Sequence, residues 1–157
     1  MTDKMELYRK MSELEEGYAE ALEDTARGLR NPLIRIIVKA VAKDSIKHSL
    51  IYKAIAELIE GPGPMLSEEE AEAIAKEIER HIKVEEEMIK SLEKILELGV
   101  DNKAIEFLVK TILKDEHYHH ALLKRVYDMI VLRETLTETE MWDLVWKDAL
   151  YHGTPGG

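Results

Sequence analysis

An all-α fold is what this chain predicts: an antiparallel four-helix bundle followed by a short fifth helix. Three observations carry that expectation. Long runs rich in Glu, Lys, Leu, Ile and Ala show no strand-like alternation. Proline and most glycine are confined to Asn31-Pro32, Gly61-Pro62-Gly63-Pro64, Gly99-Val100-Asp101-Asn102 and the tail from His152. The segments between these breaks begin and end on helix-capping residues.

The first periodic segment predicts a helix over about 4–29, with Gly17 inside it at a cost of ~1 kcal/mol against Ala. The second runs over about 32–60 and opens on Pro32, whose fixed φ and missing N–H suit a first helical position. The third runs over about 68–98. Ser67 and Glu70 form a capping box at its start, and Gly99 closes it. The fourth runs over about 102–133, capped by Asp101 or Asn102. Thr137-Glu138-Thr139-Glu140 opens the fifth, which reaches about 151. The chain thus divides into a bundle over 1–134, a C-terminal helix over 135–151 and a flexible tail over 152–157. The connection from Gly61 to Ser67 spans roughly 25 Å at most. The flanking helices are about 40 Å long. An up-down-up-down order follows, because the connection is too short to cross the bundle.

Composition removes several classes of function. The 157 residues carry 22 Lys+Arg against 32 Asp+Glu, a formal charge of −10. Such a surface repels phosphate backbones, so nucleic acid is not an expected partner. Without cysteine there is no disulfide framework, thiolate zinc site, iron–sulfur cluster or Cys nucleophile. No apolar run approaches the ~18–20 residues of a membrane span. Met1-Thr2-Asp3-Lys4-Met5-Glu6 lacks a signal peptide's apolar stretch, so a cytoplasmic location is expected. The absence of Gln and the 34% charged content match the bias of heat-adapted proteins.

The informative residues interrupt the apolar stripes. On the first helix the stripe is Leu7, Met11, Leu14, Tyr18, Leu22 and Leu29, with Glu15 on its flank and Glu16 pointing away. On the second it includes Ile37, Ala40, Ile51, Ile55 and Leu58, with Asp44 and His48 at its centre. On the third it is Ile74, Ile78, Ile82, Ile89, Leu92 and Leu96, with His81 and Glu85 inside it. On the fourth it is Ile105, Leu108, Ile112, Leu123, Val126 and Ile130, with Glu116 and His119 at its centre. Glu15 and Asp44 are nearly equidistant from the turn near residue 30, as are Glu85 and Glu116 from the turn near residue 100. At ~1.5 Å per residue, each pair lies within about 2 Å of one level.

Four carboxylates in one buried layer require compensation, and no Lys or Arg falls at the centre of an inward face at this depth. Two divalent cations would neutralise Glu15, Asp44, Glu85 and Glu116, with His48 and His119 as neutral nitrogen ligands. Mixed carboxylate and imidazole ligation suits iron or manganese, with zinc as a further alternative. His81 is open to three roles: a ligand, a replacement for a carboxylate, or a hydrogen-bond partner of a ligand. His117 and His120 are expected to be exposed or flanking. Tyr18 and Tyr127 are read as core packing.

The segment Asp115-Glu116-His117-Tyr118-His119-His120 contains Glu116-x-x-His119, and Glu15 and Glu85 stand as lone glutamates on two other helices. In this the chain resembles the ferritin-like di-iron carboxylate proteins, including the rubrerythrin-type ones, over about 5–133. Asp44-Ser45-Ile46-Lys47-His48 departs from the pattern, with Asp for Glu and a spacing of four for three. The resemblance implies two Fe ions that react with oxygen or peroxide, with Glu85 and Glu116 as bridges. It implies electrons from the iron or from an external donor; without cysteine there is no rubredoxin-type domain to supply them.

Met141, Trp142, Val145, Trp146 and Ala149 make the fifth helix too apolar for water. It is expected to cap its own bundle or to form a homodimer contact. A second functional reading is a non-enzymatic helical bundle with a structural metal or a buried polar layer, acting through protein partners.

Overall fold

The structure is a computed structural model, and it describes residues 2–61 and 63–131. Among the described residues there are four helices and no strand: α1 (Thr2–Gly28), α2 (Pro32–Glu60), α3 (Glu68–Glu97) and α4 (Lys103–Val131). The all-helical class expected from the sequence is therefore present, with boundaries within about two residues of those read from the capping signals. The expected fifth helix and tail lie outside the described residues. No described helix is long and apolar enough to cross a membrane.

The helix ends follow from their side chains. Asn31 accepts the Ile34 N–H at 3.1 Å, and Pro32 follows it in the first turn of α2. Ser67 and Glu70 exchange two bonds, Glu70 N–H to Ser67 Oγ at 3.1 Å and Ser67 N–H to Glu70 Oε2 at 2.8 Å. Asn102, not Asp101, caps α4, accepting the Ala104 and Ile105 N–H groups at 2.8 and 3.3 Å. Gly99 leaves α3 at φ 84°, a left-handed conformation that a side chain would oppose.

The chain forms two compact units, one over Met1–Met65 and the other from Leu66 onward. The first is the antiparallel hairpin of α1 and α2. Its cross-helix partners step down α2 as they step up α1: Arg9 with Glu60, Ser12 with Ser49 and Glu23 with Lys43. Its seam is made of small residues. Ser12, Ala19 and Ala26 recur every seven positions on α1, and Ala42, Ser49 and Ala56 do so on α2, with Ser45 beside them. Such residues let two backbones approach closely, at a heptad spacing that keeps one face toward the partner. Ser12 Oγ lies 2.9 Å from Ser49 Oγ and donates to the Ser49 carbonyl at 3.1 Å, while Ser49 Oγ donates to Glu16 Oε1 at 2.9 Å.

This corrects the expected stripe of α1. Leu7, Leu14 and Tyr18 are more than half exposed, and the small residues occupy the seam in their place. Glu16 does not point away; it receives the Lys53 ammonium and, second, Ser49 Oγ, which hold its carboxyl below the usual carboxylate range.

The second unit contains the antiparallel pair α3 and α4. Among the described residues its buried ones are Glu85 and Ile89, both on α3. A hairpin whose deepest residue after an Ile is a glutamate has an interior organised around a polar group. That glutamate marks the candidate site.

Candidate metal centre

Residue 85 is close to the middle of α3, and antiparallel pairing sets it opposite the segment of α4 from Glu116 to His120. One turn of α4 supplies Glu116 and His119, three residues apart and so on one face. Ligand atoms of Glu85, Glu116 and His119 all lie within 4.8 Å of one another. Glu85 is 9% exposed, Glu116 is intermediate and His119 is exposed, so the group runs from a buried base to an open mouth.

Burial is the main cause that pushes the Glu85 carboxyl above the usual range, and the neighbouring Glu116 charge adds to it. The His119, His120 and His81 imidazoles oppose both effects. The buried Oε2 of Glu85 has no hydrogen-bond partner. A buried carboxylate with a bare oxygen, beside a second carboxylate, is an unfavourable arrangement by itself. A cation bound there reverses the electrostatics, since two carboxylates and an imidazole are a donor set for a borderline metal ion. The residues present therefore fit a metal, on the evidence of the donor chemistry: a buried carboxylate, a second carboxylate and an imidazole with ligand atoms within 4.8 Å of one another.

The first hairpin carries a carboxylate–imidazole pair. Glu15 Oε1 on α1 lies 3.4 Å from His48 Nδ1 on α2. Asp44 does not join it: Asp44 is exposed and accepts from Lys47 Nζ at 2.7 Å, on its own helix. The reason is angular. Ala42, Ser45 and Ser49 hold the seam, and Asp44 stands one residue, about 100°, off Ser45. His81 is also exposed, with Nδ1 near the Glu77 carbonyl and carboxylate, both at 3.2 Å. It reaches Glu85 through charge, outside the close group.

Of the seven expected ligands, the structure thus brings together Glu85, Glu116 and His119 on one hairpin and Glu15 with His48 on the other, and leaves Asp44 and His81 on exposed surface. His117 is exposed as expected, with Nε2 3.8 Å from Glu93. His120 differs from expectation. Its imidazole is largely buried, with Nδ1 4.0 Å from Glu85 Oε2 and Nε2 3.8 Å from Glu86 Oε1. Its four-residue spacing from Glu116 puts it on the same side of α4, a signal that the Glu-x-x-His pattern passes over.

Comparison with known proteins gives no match: no protein family, no curated relative and no solved structure is similar to the chain.

Proposed function

We propose that this protein is a di-metal carboxylate protein of the ferritin-like kind, reacting with oxygen or peroxide, with its metal chemistry seated on the α3–α4 hairpin. The single observation that carries the reading is the meeting of ligand atoms of Glu85, Glu116 and His119 within 4.8 Å of one another, with Glu85 buried. Glu85 and Glu116 would hold iron through oxygen and His119 through nitrogen. Glu15 and His48, which pair on the other hairpin, are the ligand group assigned to the second metal. Manganese and zinc are the alternative ions for the same donors.

When bound, iron supplies electrons and open coordination positions for an oxidant. The chain's own part is to fix that chemistry in place. Glu85, at the buried base, keeps its carboxylate away from bulk water, so its charge acts at full strength on a bound cation. His119, at the exposed end of the group, would supply a nitrogen ligand. Electrons beyond those of the metal come from an external donor, since the chain has no cysteine to hold a redox cluster.

The test is metal analysis of protein purified without chelator, followed by Fe(II) addition in air. About two metals per chain and a near-ultraviolet oxo-ferric absorption are expected. Tightly bound zinc with no such absorption would assign the donors to a structural metal. Metal-free protein whose melting temperature is unmoved by Fe, Mn or Zn would overturn the reading.

A further inference from the structure

We infer that His120 is a positioning residue for the metal centre: its imidazole Nδ1–H donates to the Glu85 oxygen that does not face the cation. The inference rests on the metal-site reading above and adds a residue that the ligand pattern does not include.

Three observations support it. His120 Nδ1 and Glu85 Oε2 are both buried, and neither has a hydrogen-bond partner. They face each other at 4.0 Å, about 1 Å beyond hydrogen-bond length. A donor-capable nitrogen and a carboxylate oxygen that are both unsatisfied, and both shielded from water, are complementary; a small rotation of either side chain joins them. His120 also stands outside the close group of Glu85, Glu116 and His119, so it meets Glu85 without being gathered among the ligand atoms.

A cation on the Glu116/His119 side draws one Glu85 oxygen toward itself and leaves the other to be held. His120 comes from the residue next to His119 on α4, so the turn that supplies a nitrogen ligand also orients the glutamate of the opposite helix. Glu86 Oε1, 3.8 Å from Nε2, faces the far edge of the ring. Partners of this type set the direction and basicity of metal ligands.

The experiment is Co(II) titration of the full chain, read by d–d absorption and by competition with a chelator. The variants are His120→Leu, His120→Asn and His120→Gln, each checked for helicity and melting temperature in the metal-free state. An Asn amide reaches the position of imidazole Nδ1, and a Gln amide reaches that of Nε2. His120→Leu is expected to weaken Co(II) binding about 10–100-fold with band positions and intensities unchanged. His120→Asn is expected to restore affinity to within about threefold, and His120→Gln to leave it weak. Should His120→Leu destabilise the fold, the Asn and Gln pair still decides. Wild-type affinity in His120→Leu, equal affinity in Asn and Gln, or a spectrum that loses a nitrogen ligand would each overturn the inference while leaving the metal site standing. Absence of Co(II) binding by the wild-type chain would overturn the metal-site reading itself, and this inference with it.

Discussion

Glu85 on α3 and Glu116 on α4 hold carboxylate oxygens within 4.8 Å of each other, and Glu85 is 9% exposed. Burial first, and the Glu116 charge second, push the Glu85 carboxyl above its ordinary value. The folded state therefore keeps the Glu85 proton to higher pH than the unfolded state does. Below the unfolded value both states are protonated and nothing is lost. As pH rises through the window between the two values the unfolded chain ionises first, so stability falls, and the loss persists above it. Glu85→Gln removes that loss. In metal-free protein it is expected to raise the denaturant midpoint at neutral pH and to change little near pH 3, as urea unfolding at both pH values would measure.

Metal binding reverses the sign of that effect. A cation at the site makes the Glu85 and Glu116 charges favourable, and a ligand that binds the folded state alone stabilises it by about 2.7 kcal/mol at a hundredfold excess over Kd. Thermal melts with and without Co(II) are expected to show a rise in wild-type protein and none in Glu116→Ala. Glu87→Ala serves as the control, because Glu87 is exposed and pairs with Lys90 on its own helix. Equal losses in the two variants would contradict the assignment of faces.

The small-residue seam of the first hairpin makes a separate prediction. Ser12 and Ser49 are each 1% exposed, and their hydroxyls lie 2.9 Å apart across the seam. Ser12→Leu is expected to cost about 1–3 kcal/mol by forcing α1 from α2. Ser12→Ala should cost about 1 kcal/mol or less, since the Ser49 hydroxyl keeps its bond to Glu16. Chemical denaturation of both variants checks the order.

At the start of α3, the Ser67 N–H donates to the Glu70 carboxylate and, with the Ser67 side chain second, holds that carboxyl below the ordinary range. Its contribution is present above the unfolded value and is lost as pH falls through the lowered folded one. Ser67→Ala is expected to cost about 1 kcal/mol, measured by urea unfolding at neutral pH.

The helices were legible because their ends are written in local chemistry: Pro32, Ser67 with Glu70, Gly99 and Asn102 each act on backbone groups within a few residues. The seam of α1 and α2 was not. A search for large apolar residues finds Leu7, Leu14 and Tyr18, whereas the close approach is set by Ser12, Ala19 and Ala26, whose heptad spacing was the available signal. At the candidate site, the Glu116-x-x-His119 spacing with the depth of Glu85 identified the three residues that meet on the second hairpin. Asp44 was misplaced by the same apolar search, since the face it was assigned is a flank of the serine and alanine seam. His120 was passed over although it stands four residues from Glu116 on the same side of α4: the Glu-x-x-His pattern takes His119, and only the tertiary position of Glu85 shows what His120 faces.

The most direct measurement is anomalous scattering from crystals of the protein grown with Fe(II) or Co(II). The account predicts an anomalous peak at coordinating distance, about 2.0–2.2 Å, from the carboxylates of Glu85 and Glu116 and a nitrogen of His119. Full occupancy by the ion elsewhere, with those three side chains free of metal, would contradict it.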